Sequence, residues 1–208
     1  MYVLHTSPET GGFAVQAVLE EAGAEYRLAE VDFAAGLHRS PAFLSLNPMA
    51  QVPVLELPEG TVMTESAAIV IYLADRLGPG SLAPAPDSPL RPVFLRWLVF
   101  MAANLYPADL MAYHADRYTT DPAGAPAVRQ AALDLMDQHF AILDEAIGDR
   151  ASLIGDGYTV ADPYLLMLTY WHPDAAAVLG HRPNIARLCE AVRDRPAVVA
   201  ANAYHRIW

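Results

Sequence analysis

The sequence predicts an α/β unit followed by an all-α unit, and three features carry that prediction. Short apolar runs alternate with helical repeats from Tyr2 to about Leu77. A stretch rich in proline and glycine follows. Beyond it the apolar residues recur at helical spacing, with no convincing strand. The expected boundaries are residues 1–78 for the α/β unit, 79–89 for a linker and 90–208 for the helices.

Tyr2-Val3-Leu4-His5 is a short apolar strand. Phe13, Ala14, Ala17, Val18 and Ala22 recur at helical spacing, and Gly23 closes that helix because glycine enters the left-handed backbone region without a Cβ clash. Residues 26–31 form a second strand, 53–57 a third and 61–63 a fourth. Pro58-Glu59-Gly60 is a turn signal that pairs the last two as an antiparallel hairpin. The first two strands, joined through a helix, run parallel. A helix from about Glu65 to Leu77 completes the unit. Five Pro and Gly residues between Gly78 and Asp87 mark the linker. Residues 90 to about 117 are helical, with Pro107 expected to bend the axis because it has no N–H to give the preceding turn. Residues 128–147 form the clearest amphipathic helix, with Leu133, Met136, Phe140, Leu143 and Ile147 on one stripe. Thr159-Val160-Ala161-Asp162 opens another as a capping box. Shorter helices follow near 184–193 and 196–203.

Composition narrows the function. With 208 residues, 54% hydrophobic and 18% charged, the chain can bury a sizeable core and lies outside the disordered class. No apolar run approaches the roughly 18 residues of a membrane span, the nearest being 164–171. The start, Met1-Tyr2-Val3-Leu4-His5, has no basic region ahead of a long apolar segment, so no export signal is expected. A single cysteine, Cys189, excludes an internal disulfide framework and a dithiol pair, and its place on an apolar stripe with Leu188 and Val192 reads as a core thiol. A cytoplasmic location follows as the expectation. The formal charge of -11 repels phosphate backbones, which argues against nucleic acid but leaves room for a small anionic ligand held by local donors.

The sharpest constellation is Asn47-Pro48-Met49-Ala50-Gln51-Val52-Pro53-Val54-Leu55, with Glu65-Ser66 ten residues on. Pro53 directly precedes a strand, an awkward place for a residue without an N–H. A cis Val52-Pro53 peptide would leave the N–H and C=O of Val52 open to pair with an extended peptide, as an added strand does. Ser66 stands in the first turn of the next helix, where free N–H groups and the dipole favour a carboxylate. Glu65 beside it suits an ammonium group. A ligand with an α-amino acid at one end and a peptide bond in its middle satisfies every one of these groups. Taken singly, Pro53 reads equally as a strand-start proline and Ser66 as a plain helix cap.

In these residues the sequence resembles the glutathione transferase superfamily, and the resemblance spans the whole chain. Asn47-Pro48, Val52-Pro53-Val54-Leu55 and Glu65-Ser66 match the segment of its thioredoxin-like N-terminal domain, and Thr159-Val160-Ala161-Asp162 matches the capping motif of its all-helical second domain. The resemblance implies that Val52 pairs with the cysteinyl part of glutathione and that Gln51, Glu65 and Ser66 hold the γ-glutamyl end. It also implies a homodimer, a role in detoxification and glutathione as co-substrate, without metal or nucleic acid. His38 or Arg39, after the second strand, is placed to take the glycyl carboxylate, although a solvated loop explains both.

The activating group stays open. Glutathione's thiol must ionise to attack an electrophile, and a donor to the sulfur stabilises the thiolate. The family places Tyr, Ser or Cys after the first strand, whereas this loop reads Thr6-Ser7-Pro8-Glu9-Thr10-Gly11-Gly12. Alignment on Pro8 puts Thr10 at the serine position. Ser7 is second, Thr6 falls where the bacterial tyrosine does, and Gly11 where the bacterial cysteine does. Thr10 also reads as a helix cap, and an N–H of Gly11 or Gly12 could hold the sulfur instead. For the electrophile, expected between the domains, the candidates are Tyr106, Tyr113 and His114, with Tyr118, Asn104 and Met111 nearby, although packing explains each singly. The seven histidines show no metal-ligand spacing. The expected function is conjugation of glutathione to a small hydrophobic electrophile. The rival is a non-catalytic glutathione-binding or protein-interaction module on the same fold, and peroxidase or disulfide-reductase activity needs only an activated bound thiol.

Overall fold

The computed structural model describes residues 1–78 and 80–208, so Pro79, within the expected linker, lies outside the described residues. The chain forms two compact units, Met1–Pro86 with Arg193–Trp208, and Asp87–Val192.

The first unit is built on β1 (Tyr2–Thr6), α1 (Gly12–Glu21), β2 (Tyr26–Glu30), α2 (Pro41–Leu44), β3 (Val54–Glu56), β4 (Val62–Met63) and α3 (Ser66–Leu77). The strands order as β2-β1-β3-β4, with β2 parallel to β1 and the other pairs antiparallel. Tyr2, Leu4 and Thr6 of β1 are buried while Val3 and His5 are half-buried, the period-two pattern of a central strand. Helix α1 is buried from Gly12 to Leu19, because it lies against β1, α3 and the C-terminal helix α10 (Pro196–His205). Its end matches the sequence expectation: Gly23 takes φ +59, its N–H reaches Glu20 O at 3.1 Å and that of Ala24 reaches Leu19 O at 3.0 Å.

Three features of this unit escaped the sequence reading. Residues 37–39 form a 3-10 turn and 41–44 the short α2, where only a loop was expected. Ser40 caps α2 by accepting from Phe43 N–H at 3.2 Å, with Pro41 in the first turn. The last helix, grouped by sequence with the helical domain, packs instead on α1. Arg195 at its start holds Glu21 in two bonds of 2.6 and 3.0 Å, and its end sets His205 edge-on to Phe13 at 5.9 Å.

The second unit contains α4 (Arg91–Phe100), α5 (Tyr106–Tyr113), α6 (Ala125–Ile147), α7 (Ala161–Trp171), α8 (Ala175–His181) and α9 (Pro183–Arg193), whose last residue belongs to the first unit. Among its described residues there is no strand. Between α4 and α5 the chain widens into π-helix over Met101–Leu105. Pro107 just beyond has no N–H for the preceding turn and its ring crowds the carbonyl there, which the wider turn accommodates. Helix α6 buries Met136, Phe140, Leu143 and Ile147, with Leu133 half-buried on the same stripe. Helix α8, seven residues that begin with three Ala, was not anticipated. At the start of α7 the buried Asp162 carboxylate accepts from Thr159 N–H at 2.7 Å and from Leu153 N–H at 2.9 Å, so it serves a preceding loop as well as the cap. No helix is long and apolar enough to cross a membrane among the described residues.

Candidate functional site

The registers of the sheet decide which loops meet. Leu55 pairs with Met63 and Glu56 with Val62 in antiparallel sense, so the start of β3 and the end of β4, with Pro53 and Glu65 close beyond them, lie at the same end of the sheet. His5 pairs with Val54, which sets Thr6 at the level of Pro53. Thr6 also pairs with Glu30 at the end of β2. The loop after β1, the segment before β3 and the start of α3 therefore gather at one end of the sheet. Sequence separation hides this; strand direction produces it.

The segment before β3 is held by a single side chain. Asn47 is buried, donates from Nδ2 to Gln51 O at 2.7 Å and accepts Met49 N–H at Oδ1 at 3.0 Å. Together with Ala50 N–H to Asn47 O at 3.0 Å, these bonds close a tight turn in which Ala50 takes φ +56. The Val52-Pro53 peptide is cis, as expected. The Val52 side chain is half-buried against Val31, Phe43 and Val54, which leaves its backbone at the margin of the sheet. Among the described residues no hydrogen bond engages the Val52 N–H or C=O. Gln51 is exposed beside it.

Ser66 is buried as the first residue of α3, a helix of 12 residues whose dipole places positive charge at that end. Glu65 is exposed and sits at φ +65, ψ 103, outside the regions a non-glycine residue ordinarily takes, and its carbonyl accepts the Ile69 N–H at 2.9 Å. Non-glycine residues in such conformations concentrate at ligand clamps. His38 lies in the 3-10 turn, its ring tilted against Phe33 at 4.6 Å with a buried Nδ1 that has no partner. Arg39 follows in the same turn.

In the loop after β1, both candidate hydroxyl protons are already placed. Ser7 is buried and donates from Oγ to Val31 O at 2.7 Å. Thr10, half-buried, donates to Ser7 O at 2.7 Å and accepts Gly12 N–H at 3.4 Å. Thr6 is wholly buried, so it does not occupy the exposed place a tyrosine would need there. Glu9 takes φ +57, and its N–H is fixed by the carbonyl of His205 at 3.1 Å. The sequence reading had no signal for that last contact, since it comes from the far end of the chain. A hydroxyl has one proton. Thr10 can serve a sulfur only by turning away from Ser7 O, whereas Ser7 would have to give up a buried bond.

The aromatic candidates of the helical unit converge on a residue that the sequence did not single out. Tyr106 meets Trp171 edge-on at 5.2 Å, and the exposed Tyr113 donates its hydroxyl proton to Trp171 O at 2.6 Å. Trp171 ends α7, and its indole Nε1 is buried without a hydrogen-bond partner among the described residues. His114, half-buried, follows α5 outside helical geometry, and Tyr118 is exposed. The signal that could have identified Trp171 is its position at the polar end of the most apolar helix. Among the described residues no group of three or more His, Cys, Asp or Glu side chains converges as a metal site does.

Comparison with known proteins agrees with this architecture. Residues 2–75 match the family model of the glutathione S-transferase N-terminal domain. The chain is 28% identical over 196 residues to glutathione S-transferase GstA of Escherichia coli O157:H7, covering 94% of each protein. It is 30% identical over 153 residues to YncG of Escherichia coli K12, an uncharacterized GST-like protein, covering 73% of this chain and 72% of that one. A sphingomonad glutathione S-transferase, solved in complex with glutathione, superposes with a TM-score of 0.83 at 30% identity, over 99% of this chain and 100% of that one. With its sheet order, its helical second unit and its loops gathered at one sheet end, the chain belongs to the glutathione S-transferase superfamily.

Proposed function

We propose that this protein is a glutathione S-transferase that joins the thiol of glutathione to a small hydrophobic electrophile. The observation that carries the reading is the convergence of Val52, Ser66 and the loop after β1 at one end of the sheet. The backbone of Val52, preceding the cis Pro53, pairs with the cysteinyl unit; the start of α3 at Ser66 takes the α-carboxylate; Glu65 takes the ammonium; Gln51 adds a polar contact at the same end. His38 is assigned the glycyl carboxylate. Tyr106, Tyr113 and His114 are assigned the apolar electrophile, and the working assembly is a homodimer.

Thr10 is the proposed donor to the sulfur. Its proton now rests on Ser7 O, and a thiolate is the stronger acceptor, since charge-assisted hydrogen bonds are roughly twice as strong as neutral ones. The N–H groups of Gly11 and Gly12 at the start of α1 add to the same field. The thiol gives its proton to solvent water, the sulfur pair forms the new bond to carbon, and the leaving group departs with the pair of the carbon bond that breaks. Thr10→Ala is expected to lower kcat on the order of 100-fold to 1,000-fold, the scale of one lost donor to an anion, with glutathione affinity unchanged. Equal rates in variant and parent refute the assignment.

The second reading, a glutathione-binding module without catalysis, draws on the same hydroxyls: both Ser7 and Thr10 already donate to backbone carbonyls. Ultraviolet titration of the bound thiol separates the two. Ionisation well below the free thiol's value supports the transferase, and an unshifted thiol supports the module.

A further inference from the structure

Thr6 lies beneath the first turn of α1, where its Oγ1 and Cβ stand 1.8 and 2.7 Å from the point a Cβ on residue 12 would occupy. Any side chain at position 12 would displace Thr6, so Gly12 gives the Thr6 hydroxyl its room. That hydroxyl is wholly buried and 3.1 Å from Thr10 Oγ1. Direction follows from counting protons. Thr10 has one, and it lies on Ser7 O at 2.7 Å, so across the 3.1 Å contact Thr6 is the donor. The alternative acceptor for the single Thr6 proton, Ser7 O, has a second lone pair but lies farther away, at 3.3 Å, so the 3.1 Å contact to Thr10 is the shorter path. Gly12 N–H also points to Thr10 Oγ1, at 3.4 Å. Both lone pairs of the Thr10 oxygen are thereby occupied, and the only function left to this hydroxyl is to donate.

We propose that Thr6 is a positioning residue for thiol activation: by donating to Thr10 Oγ1 from below, it keeps Thr10 a donor and polarises its O–H toward the bound sulfur. The proposal rests on the reading of Thr10 as the donor. When glutathione ionises, the Thr10 proton turns from Ser7 O to the sulfur while the Thr6 bond stays in place, so the two hydroxyls form a short chain ending on the thiolate. Chained hydrogen bonds strengthen one another, and the effect is larger where water is absent. Thr6 touches neither substrate in this scheme. It acts through Thr10 alone.

The test measures the bound thiol's ionisation by its ultraviolet absorbance, together with glutathione affinity and the acid limb of kcat/KM, in Thr6→Val, Thr6→Ala, Thr6→Ser, Thr10→Ala and the Thr6→Val/Thr10→Ala double variant. Thr6→Val keeps the shape without the hydroxyl; Thr6→Ala removes the hydroxyl with no added methyl to clash under α1, at the expense of a small cavity. The expected result is a thiolate fraction about 3-fold lower at neutral pH in both, from the loss of one supporting bond, with glutathione affinity unchanged and Thr6→Ser close to the parent. In the double variant, Thr6→Val adds nothing to Thr10→Ala. If Thr10→Ala shifts the thiol and neither Thr6 variant does, the proposal is overturned while the donor assignment stands. If Thr10→Ala itself has no effect, the donor reading fails and takes this proposal with it. Equal losses from Thr6→Val with and without Thr10 also overturn it, since Thr6 would then act by another route.

Discussion

Asp109 offers a test of the helical unit that depends on sign as well as size. It lies on α5 at 4% exposure, and its Oδ1 has no hydrogen-bond partner among the described residues. Burial alone raises its carboxyl from 3.8 to about 7, because the charged form loses its hydration and gains no cation in return. Between those two values the folded protein keeps the proton that the unfolded chain has released. Stability is therefore fully present below the unfolded value and falls as pH rises through about 7. At roughly 1.4 kcal/mol per pH unit, the gap amounts to about 4 kcal/mol lost on the alkaline side. Asp109→Asn keeps the shape and removes the titration, so variant and parent should be about equally stable near the unfolded carboxyl value, with the variant gaining as pH rises. Urea unfolding followed by tryptophan fluorescence at a series of pH values reads the difference directly, and the contributions of the other carboxylates cancel in it. A gap between variant and parent that stays constant across the series refutes the reasoning, because a pure packing or hydrogen-bond effect has no such slope.

Two further outcomes follow from buried polar residues. Asp162→Ala strands the N–H groups of Leu153 and Thr159 at the head of α7, at a cost of about 3–5 kcal/mol, and thermal melts should move down by on the order of 10 °C; Asp162→Asn, which keeps one acceptor oxygen, should fall between. Asn47→Ala removes both bonds that shape the turn before Val52, so urea unfolding should show a loss of about 2 kcal/mol, and titration calorimetry should show weaker glutathione binding, since Gln51 and Val52 lose their support.

The α/β unit was legible because its signals are local. Gly23 ends α1 through its own conformation, and Pro58-Glu59-Gly60 turns the hairpin between strands only a few residues away. The capping box at Thr159 is equally local, and its Asp162 carboxylate does reach back to the Thr159 N–H. What failed was either too short or too distant. Helix α2 has four residues and α8 seven, too few turns for a periodic pattern to rise above chance. The return of α10 to α1 rests on Arg195 meeting Glu21 across 174 positions, and neither residue advertises the other. In the site, the residue types were readable and their hydrogen-bond directions were not. Thr6, Ser7 and Thr10 differ in role only because Thr6 and Ser7 are closed off from solvent and Thr10 is not.

That difference explains why the two halves of the site stand on unequal footing. The proposed binding half is made of backbone and helix ends: Val52 beside a cis proline, the start of α3, and strand directions that bring them to one end of the sheet. Such groups survive wide changes in side chains, because strand direction and one buried Asn47 hold them in place. The proposed activating half rests on a hydroxyl whose direction depends on its neighbours, and a Gly12 without a Cβ is what admits the one beneath it. On that proposal the loop does without tyrosine or cysteine, since what it supplies is a committed donor next to the sulfur rather than a particular ring or thiol. It follows that the same fold can retain its ligand while losing its chemistry through one buried substitution. The Thr6 and Thr10 variants separate those two losses.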